Sequence, residues 1–424
     1  MNRARLDIDI IAILIFALLV AWGWVTIYAV TSANGAEMLD FGTIHGKQLM
    51  WIGISLVAGI LVMMLDYRFL EFISYIAYGG AMVLLILTIF IGKEVNGAQS
   101  WLIIGGQPFQ PSEFAKMATA LALAKFMSRL NFSMSDPRQM AIAAAMVILP
   151  ALIVIKQNDT GSALVFGSFI LVFFREGLNP ILPIFILLVG MVAVLALWMS
   201  SAWWVVAGIV GIGLVSYFIL NIANTQNWVR VGIIHVIAIA FFSAIALSTD
   251  FIVNKLPAHQ QTRIMVLFDP GIDPQGKGYN VIQSKIAIGS GGMSGKGLFD
   301  GQYTKYKFVP KQETDFIFCT IGEELGWMGT SAVMILFFAL LWRFQFLAEN
   351  SKTRFTRIYG YGVISILFFH VLVNVGMTIG LVPVIGIPLP FFSYGGSSLL
   401  AFTLLIAILV NLHSYRSSVL GSKV

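Results

Sequence analysis

The residues of this chain best suited to chemistry lie in one polar stretch, Arg263 to Asp315, set between apolar runs. Asp269-Pro270 and Asp273-Pro274 are two Asp-Pro pairs four residues apart. Each implies a tight turn that fixes its carboxylate in space. A carboxylate so held can act as general base toward a hydroxyl. Turn formation alone also accounts for an Asp-Pro pair. Downstream come Gly276-Lys277-Gly278-Tyr279-Asn280 and Gly289-Ser290-Gly291-Gly292-Met293-Ser294-Gly295-Lys296-Gly297. Glycines with Lys285 and Lys296 nearby can bind an anion through backbone N–H groups and ammonium charge. Nucleotide binding is excluded. Ser290 stands where the Walker pattern needs Gly, and Gly297 stands where it needs Ser or Thr.

Two further polar elements interrupt the apolar sequence. In Gln110-Pro111-Ser112-Glu113-Phe114-Ala115-Lys116, Pro111 marks a helix start, and Glu113 and Lys116 share one helical face. They form an i,i+3 ion pair, or they line a cavity near membrane depth. In Lys156-Gln157-Asn158-Asp159-Thr160-Gly161-Ser162, Asp159 caps the next helix or places a carboxylate at a cavity mouth. His235 and His370 fall in apolar runs and read first as helix-packing residues, with a proton relay as the other use. No cluster has metal-ligand spacing. Cys319 is the single cysteine, so it reads as a packing residue.

The elements that must position these residues are membrane helices. Of 424 residues, 58% are apolar and 11% charged, against about 25% charged in a soluble domain. The net charge of +6 is spread through loops, with no basic stripe of the kind that binds nucleic acid. Continuous apolar runs near 20 residues mean helices and not barrel strands. Twelve spans are expected, near 8–30, 48–66, 72–92, 112–128, 139–156, 162–175, 179–199, 203–221, 230–249, 326–346, 359–380 and 394–413. With both termini inside, Arg3, Arg5, Arg68, Lys125, Arg129, Arg138, Arg175, Arg230, Arg343, Lys352, Arg354, Arg357, Arg416 and Lys423 all fall on the inner side. Lys47, Lys93, Lys116 and Lys156 fall on the outer side. That bias follows the positive-inside rule and puts the long 250–315 segment outside. The expected fold is all-α, one polytopic membrane domain over residues 1–424. Its outer loop, 250–315, carries a short interfacial or re-entrant helix at 281–288.

Together these motifs resemble the SEDS family (shape, elongation, division and sporulation) over nearly the whole chain. The resemblance rests on Asn96-Gly97-Ala98-Gln99, Gln110-Pro111-Ser112-Glu113 with Lys116, Asp273-Pro274 with Gly278-Tyr279-Asn280, and Gln283-Ser284-Lys285. It continues in Thr314-Asp315-Phe316, Glu323-Glu324, Gly386-Ile387-Pro388-Leu389-Pro390-Phe391 and Ser393-Tyr394-Gly395-Gly396-Ser397-Ser398. Gly-Tyr-Asn and Gln-Ser-Lys resemble the elongation branch more than the division branch.

The resemblance implies a peptidoglycan glycosyltransferase that polymerises lipid II at the outer face of the bacterial cytoplasmic (inner) membrane. Undecaprenyl pyrophosphate is the implied leaving group. The implied partners are a class B penicillin-binding protein and other membrane proteins of the elongation complex. Asp273 takes the place of the family's essential acid. Gln110, Glu113, Lys116, Asp159, Lys285, Lys296 and Ser393 are the substrate-binding candidates. The pyrophosphate charge calls for lysines or for a divalent cation, Mg2+ or Mn2+. A lipid II flippase and a non-catalytic scaffold are the competing readings. The chain departs from the family in having Ser100 before Trp101, Lys311-Gln312-Glu313 after Pro310, and Asn158 and Thr160 around Asp159. It also carries two spans beyond the family's ten, between residues 175 and 250.

Overall fold

The structure, a computed structural model, describes residues 8–31, 38–95, 97–199, 201–223, 228–256, 258–274 and 276–415. Arg3, Arg5, Asn96, Arg416 and Lys423 lie outside the described residues. The chain divides into two compact units, Met1–Leu178 with Tyr279–Val424, and Asn179–Gly278.

The first unit opens with α1 (Ile10–Thr31), α2 (Ile44–Met63) and α3 (Tyr67–Ile91). Then come α4 (Pro111–Met127), α5 (Pro137–Lys156), α6 (Thr160–Phe166) and α7 (Ile170–Arg175). After the second unit follow α14 (Ile317–Glu349), α15 (Arg354–Thr378) and α16 (Gly396–Ser414). Short polar side chains set the helix starts. Asp66 accepts the N–H of Arg68 at 2.8 Å, and Asp136 accepts that of Arg138 at 2.9 Å. Each satisfies an N–H that the first helical turn leaves unpaired. Inside the unit α4 packs on α3 and α15, and α2 packs on α16. α4, α15 and α16 are the most enclosed, and their inner faces form the core with Phe166, Phe169, Phe337 and Tyr359.

Ten described helices are long and apolar enough to cross a membrane, and each coincides with an expected span. The other two expected spans differ. α4 has 17 residues and carries Glu113, Lys116 and Lys125. Residues 160–175 are broken into α6, a 3-10 turn (Gly167–Phe169) and α7. α14 begins nine residues before the expected span. It is kinked at Gly326 (φ 63°, ψ −157°), where the expected span starts.

Three short strands also appear where only a loop was expected: β1 (Lys93–Val95), β2 (Ala98–Ile104) and β3 (Gln107–Phe109), paired antiparallel in that order. The β2–β3 turn uses Gly105 and Gly106 at φ 57° and 80°, which a primed hairpin turn requires. This apolar–polar mixture is too short to show a period-2 signal in the sequence.

The second unit holds α8 (Ile181–Trp198), α9 (Ala202–Ala223), α10 (Trp228–Asn254) and α11 (Ala258–Phe268). Val192, Ala196, Val205 and Ala246 form its small core. His235 is a packing residue there, as expected. Its Nδ1 donates to Val231 O at 2.8 Å, and its Nε2 lies 3.0 Å from the Ser216 hydroxyl oxygen. α12 (Lys277–Ser290) follows and extends the expected short helix at both ends. α13 (Gln302–Lys305) lies between α12 and α14.

Candidate active site

The two aspartates of the polar loop differ in what their turns do. Asp269 Oδ1 accepts the N–H of Gly271 at 2.9 Å, an Asx turn, and the residue is exposed. Asp273 is half-buried, and its Oδ2 accepts the N–H of Lys277 at 2.7 Å at the start of α12. The glycines explain themselves here. A Cβ on Gly276 would lie 2.3 Å from Asp273 Oδ2, and one on Gly278 would lie 2.0 Å from Pro270 O. The chain therefore folds back on its own aspartate: a Cβ on Gly276 would displace the carboxylate, and one on Gly278 would meet the turn's own backbone.

Lys285 lies on α12. Val281, Ser284 and Ala287 form the buried side of that helix, and Lys285 is exposed. The Lys285 stem lies against Gly380 (φ 77°), and Ser284 donates to Thr378 O at 2.9 Å.

The Gly-Lys run has a structural task. A Cβ on Gly291 would meet Gly322 O at 1.9 Å, and one on Gly295 would meet Glu324 O at 2.1 Å. Trp327 and Met328 donate their N–H groups to Gly292 O and Met293 O at 2.8 and 3.0 Å. Backbone thus lies on backbone at the Gly326 kink, which only glycine permits. Lys296 pairs with the fully buried Glu323 at 3.0 Å, and its side chain is 28% exposed. Glu323 also accepts the N–H groups of Tyr303 and Thr304 at 2.9 and 2.8 Å.

Side-chain hydrogen bonds join segments at the ends of the core helices. Gln110 donates to Asp159 Oδ2 at 2.9 Å, and Asp159 Oδ1 caps α6 by accepting the N–H of Ser162 at 3.0 Å. Ser393 donates to Thr314 O at 2.6 Å and accepts the N–H of Leu389 at 2.8 Å. Asn374 donates to Asp315 O and Ile387 O at 2.9 and 2.8 Å.

Glu113 and Lys116 do pair, at 2.8 Å, but they are sealed inside the helix bundle at 3% and 1% exposure. Their third member comes from another helix and was not expected from the sequence. His370 of α15 lies with Nε2 2.9 Å from Lys116 Nζ, and its Nδ1 donates to Pro388 O at 3.1 Å. A signal was present: His370, Asn374 and Thr378 recur every four residues along α15. Among the described residues, no three His, Cys, Asp or Glu side chains are grouped to hold a metal ion.

Ten described helices of membrane-spanning length and apolar composition define a multi-pass membrane protein. The chain belongs to the cell cycle protein family of FtsW, RodA and SpoVE, whose model matches residues 9–207 and 206–418. It is 32% identical to peptidoglycan glycosyltransferase MrdB of Escherichia coli over 96% of this chain and 92% of that protein. It is 30% identical to peptidoglycan glycosyltransferase RodA of Treponema pallidum, over 97% of this chain and 99% of that one. Among solved structures, a chain of a peptidoglycan synthase complex that coordinates polymerization and crosslinking superposes with a TM-score of 0.69. It is 26% identical and is covered to 99%, against 97% of this chain.

Proposed function

We propose that this protein is a peptidoglycan glycosyltransferase of cell elongation, polymerising lipid II at the outer face of the cytoplasmic membrane. Family membership and the relatives named peptidoglycan glycosyltransferase support the activity. The observation that carries the site is Asp273. It is half-buried, the absence of a side chain at Gly276 leaves room for its carboxylate, and Oδ2 alone has a partner among the described residues.

In this reading an acceptor sugar hydroxyl attacks the anomeric carbon of a lipid-linked glycan. Asp273 takes the hydroxyl proton as the new C–O bond forms. The bond to pyrophosphate breaks, and undecaprenyl pyrophosphate leaves with the electron pair. Single displacement inverts the anomeric carbon, so no second carboxylate is required. Lys285, exposed on α12, is the cation open to the leaving group. Lys296 is engaged by Glu323, and Lys116 acts as a fixed charge across the low-dielectric interior. Gln110, Asp159 and Ser393 shape the outer rim through the bonds described above. A divalent cation carried by the pyrophosphate would add to the same charge.

Twelve crossings with both termini inside belong to this reading, and contacts at the two ends of α4 and of α6–α7 support the two crossings beyond the ten long helices. Lys125 at the end of α4 donates to Phe72 O near the start of α3, while β2 packs beside the far end of α3 and the start of α4. α4 therefore runs the length of α3. Glu176, just after α7, pairs with Arg354 and Arg357, while Asp159 before α6 joins Gln110. α4 tolerates its charges because α3, α5, α15 and α16 shield it from lipid. A class B penicillin-binding protein is the proposed partner, supported by the synthase complex whose chain this one resembles.

The test is glycan polymerisation from purified lipid II, with and without that partner. Wild type should make polymer, and Asp273→Asn should lower the rate by about 100- to 10,000-fold while thermal stability stays level. An inactive wild type under both conditions sinks the enzyme reading. Full activity in Asp273→Asn removes Asp273 from the chemistry.

A further inference from the structure

We propose that His370 is a positioning residue: its bare Nε2 fixes the Lys116 ammonium so that this charge serves the pyrophosphate leaving group. The inference rests on the lipid II polymerisation proposed above.

The proton assignment follows from the partners. Pro388 O can only accept, so His370 Nδ1 carries the hydrogen of that 3.1 Å contact. The neutral ring is then an acceptor at Nε2. Lys116 Nζ, 2.9 Å away, has only hydrogens to give and donates to it. The ammonium is held from two helices, by Glu113 of α4 and His370 of α15. The Phe402 ring lies 5.9 Å from it.

An i,i+3 pair alone leaves a four-carbon stem loosely fixed. Here the alternative is specific. Glu113 Oε2 is buried and has no hydrogen-bond partner among the described residues. A Lys116 released from His370 can turn to that second oxygen. Both carboxylate oxygens would then screen the ammonium, and less positive charge would act on the leaving group. Preorganised charge stabilises developing charge because nothing need reorganise in the transition state. His370 supplies that preorganisation.

The test uses the full chain, with lipid II titrated against wild type, His370→Asn, His370→Gln and His370→Phe. Asn keeps a donor near the Nδ1 place and offers no acceptor at the Nε2 place. Gln reaches the Nε2 place with a carbonyl and loses the donor to Pro388. The expected result is a kcat about ten- to a hundredfold lower in His370→Asn and His370→Phe, at nearly unchanged KM, with much of it recovered in His370→Gln. His370→Gln as poor as His370→Phe, or His370→Asn equal to wild type, overturns the proposal. A second readout needs no turnover: binding of undecaprenyl pyrophosphate relative to undecaprenyl monophosphate. That ratio should fall in any folded variant lacking the acceptor, and an unchanged ratio also overturns it. If wild type makes no polymer, the enzyme reading fails, and the titration still decides the role of His370.

Discussion

Asp273 and Gly276 are in such close approach that a single added carbon between them, a Cβ on Gly276, would sit 2.3 Å from the Asp273 carboxylate. The turn that orients the proposed base therefore depends on the absence of a side chain three residues away. Gly276→Ala should push the carboxylate off its place while leaving the helix bundle intact. A misplacement near 1 Å is worth roughly a hundredfold in rate, so polymerisation should fall by about that factor with an unchanged thermal midpoint. Wild-type turnover in Gly276→Ala would show that the orientation of Asp273 does not matter.

Glu323 organises the segment before α14. It is fully buried and holds the Lys296 ammonium and two backbone N–H groups. Removing the carboxylate strands a cation and two donors, a loss of about 3–5 kcal/mol. Glu323→Ala should lower the thermal midpoint sharply. Lys296→Met should cost less, because its side chain reaches solvent. Equal stability of Glu323→Ala and wild type would contradict this.

Topology is open to reporters. A fusion after about residue 225 should report cytoplasm, and one after about residue 300 should report the outside. The reverse pattern would overturn the twelve crossings with both termini inside.

Asp9 and Arg343 give a pH dependence. Asp9 caps α1 by accepting the Ala12 N–H at 2.7 Å, and it bonds Arg343 through both oxygens at 2.5–3.1 Å. Burial opposes its ionisation, but the Arg343 guanidinium and the Ala12 N–H outweigh burial and hold the carboxyl below its usual range. A depressed folded value means stability that is complete above the unfolded value, near about 3.9, and lost as pH falls through the folded value. Asp9→Asn should melt lower than wild type at neutral pH. The gap should close as acid protonates Asp9, and a gap constant down to the acid limit would rule the pair out as its source.

Much of this was legible in the residue order. Apolar runs of bilayer length have no soluble alternative, so the helical membrane fold follows from composition and periodicity. The Glu113–Lys116 pair and the Asp159 cap followed from i,i+3 geometry and helix-start chemistry, because those effects are local. What needed the tertiary structure was every relationship across the chain. His370 meets Lys116 across 254 residues, and no spacing rule reaches that far. The glycine run looked like an anion loop until its backbone was seen packed on α14 at the Gly326 kink. Whether α4 could keep its charges was likewise decided by the helices around it, since burial inside a bundle, and not hydropathy, sets what a membrane helix can carry.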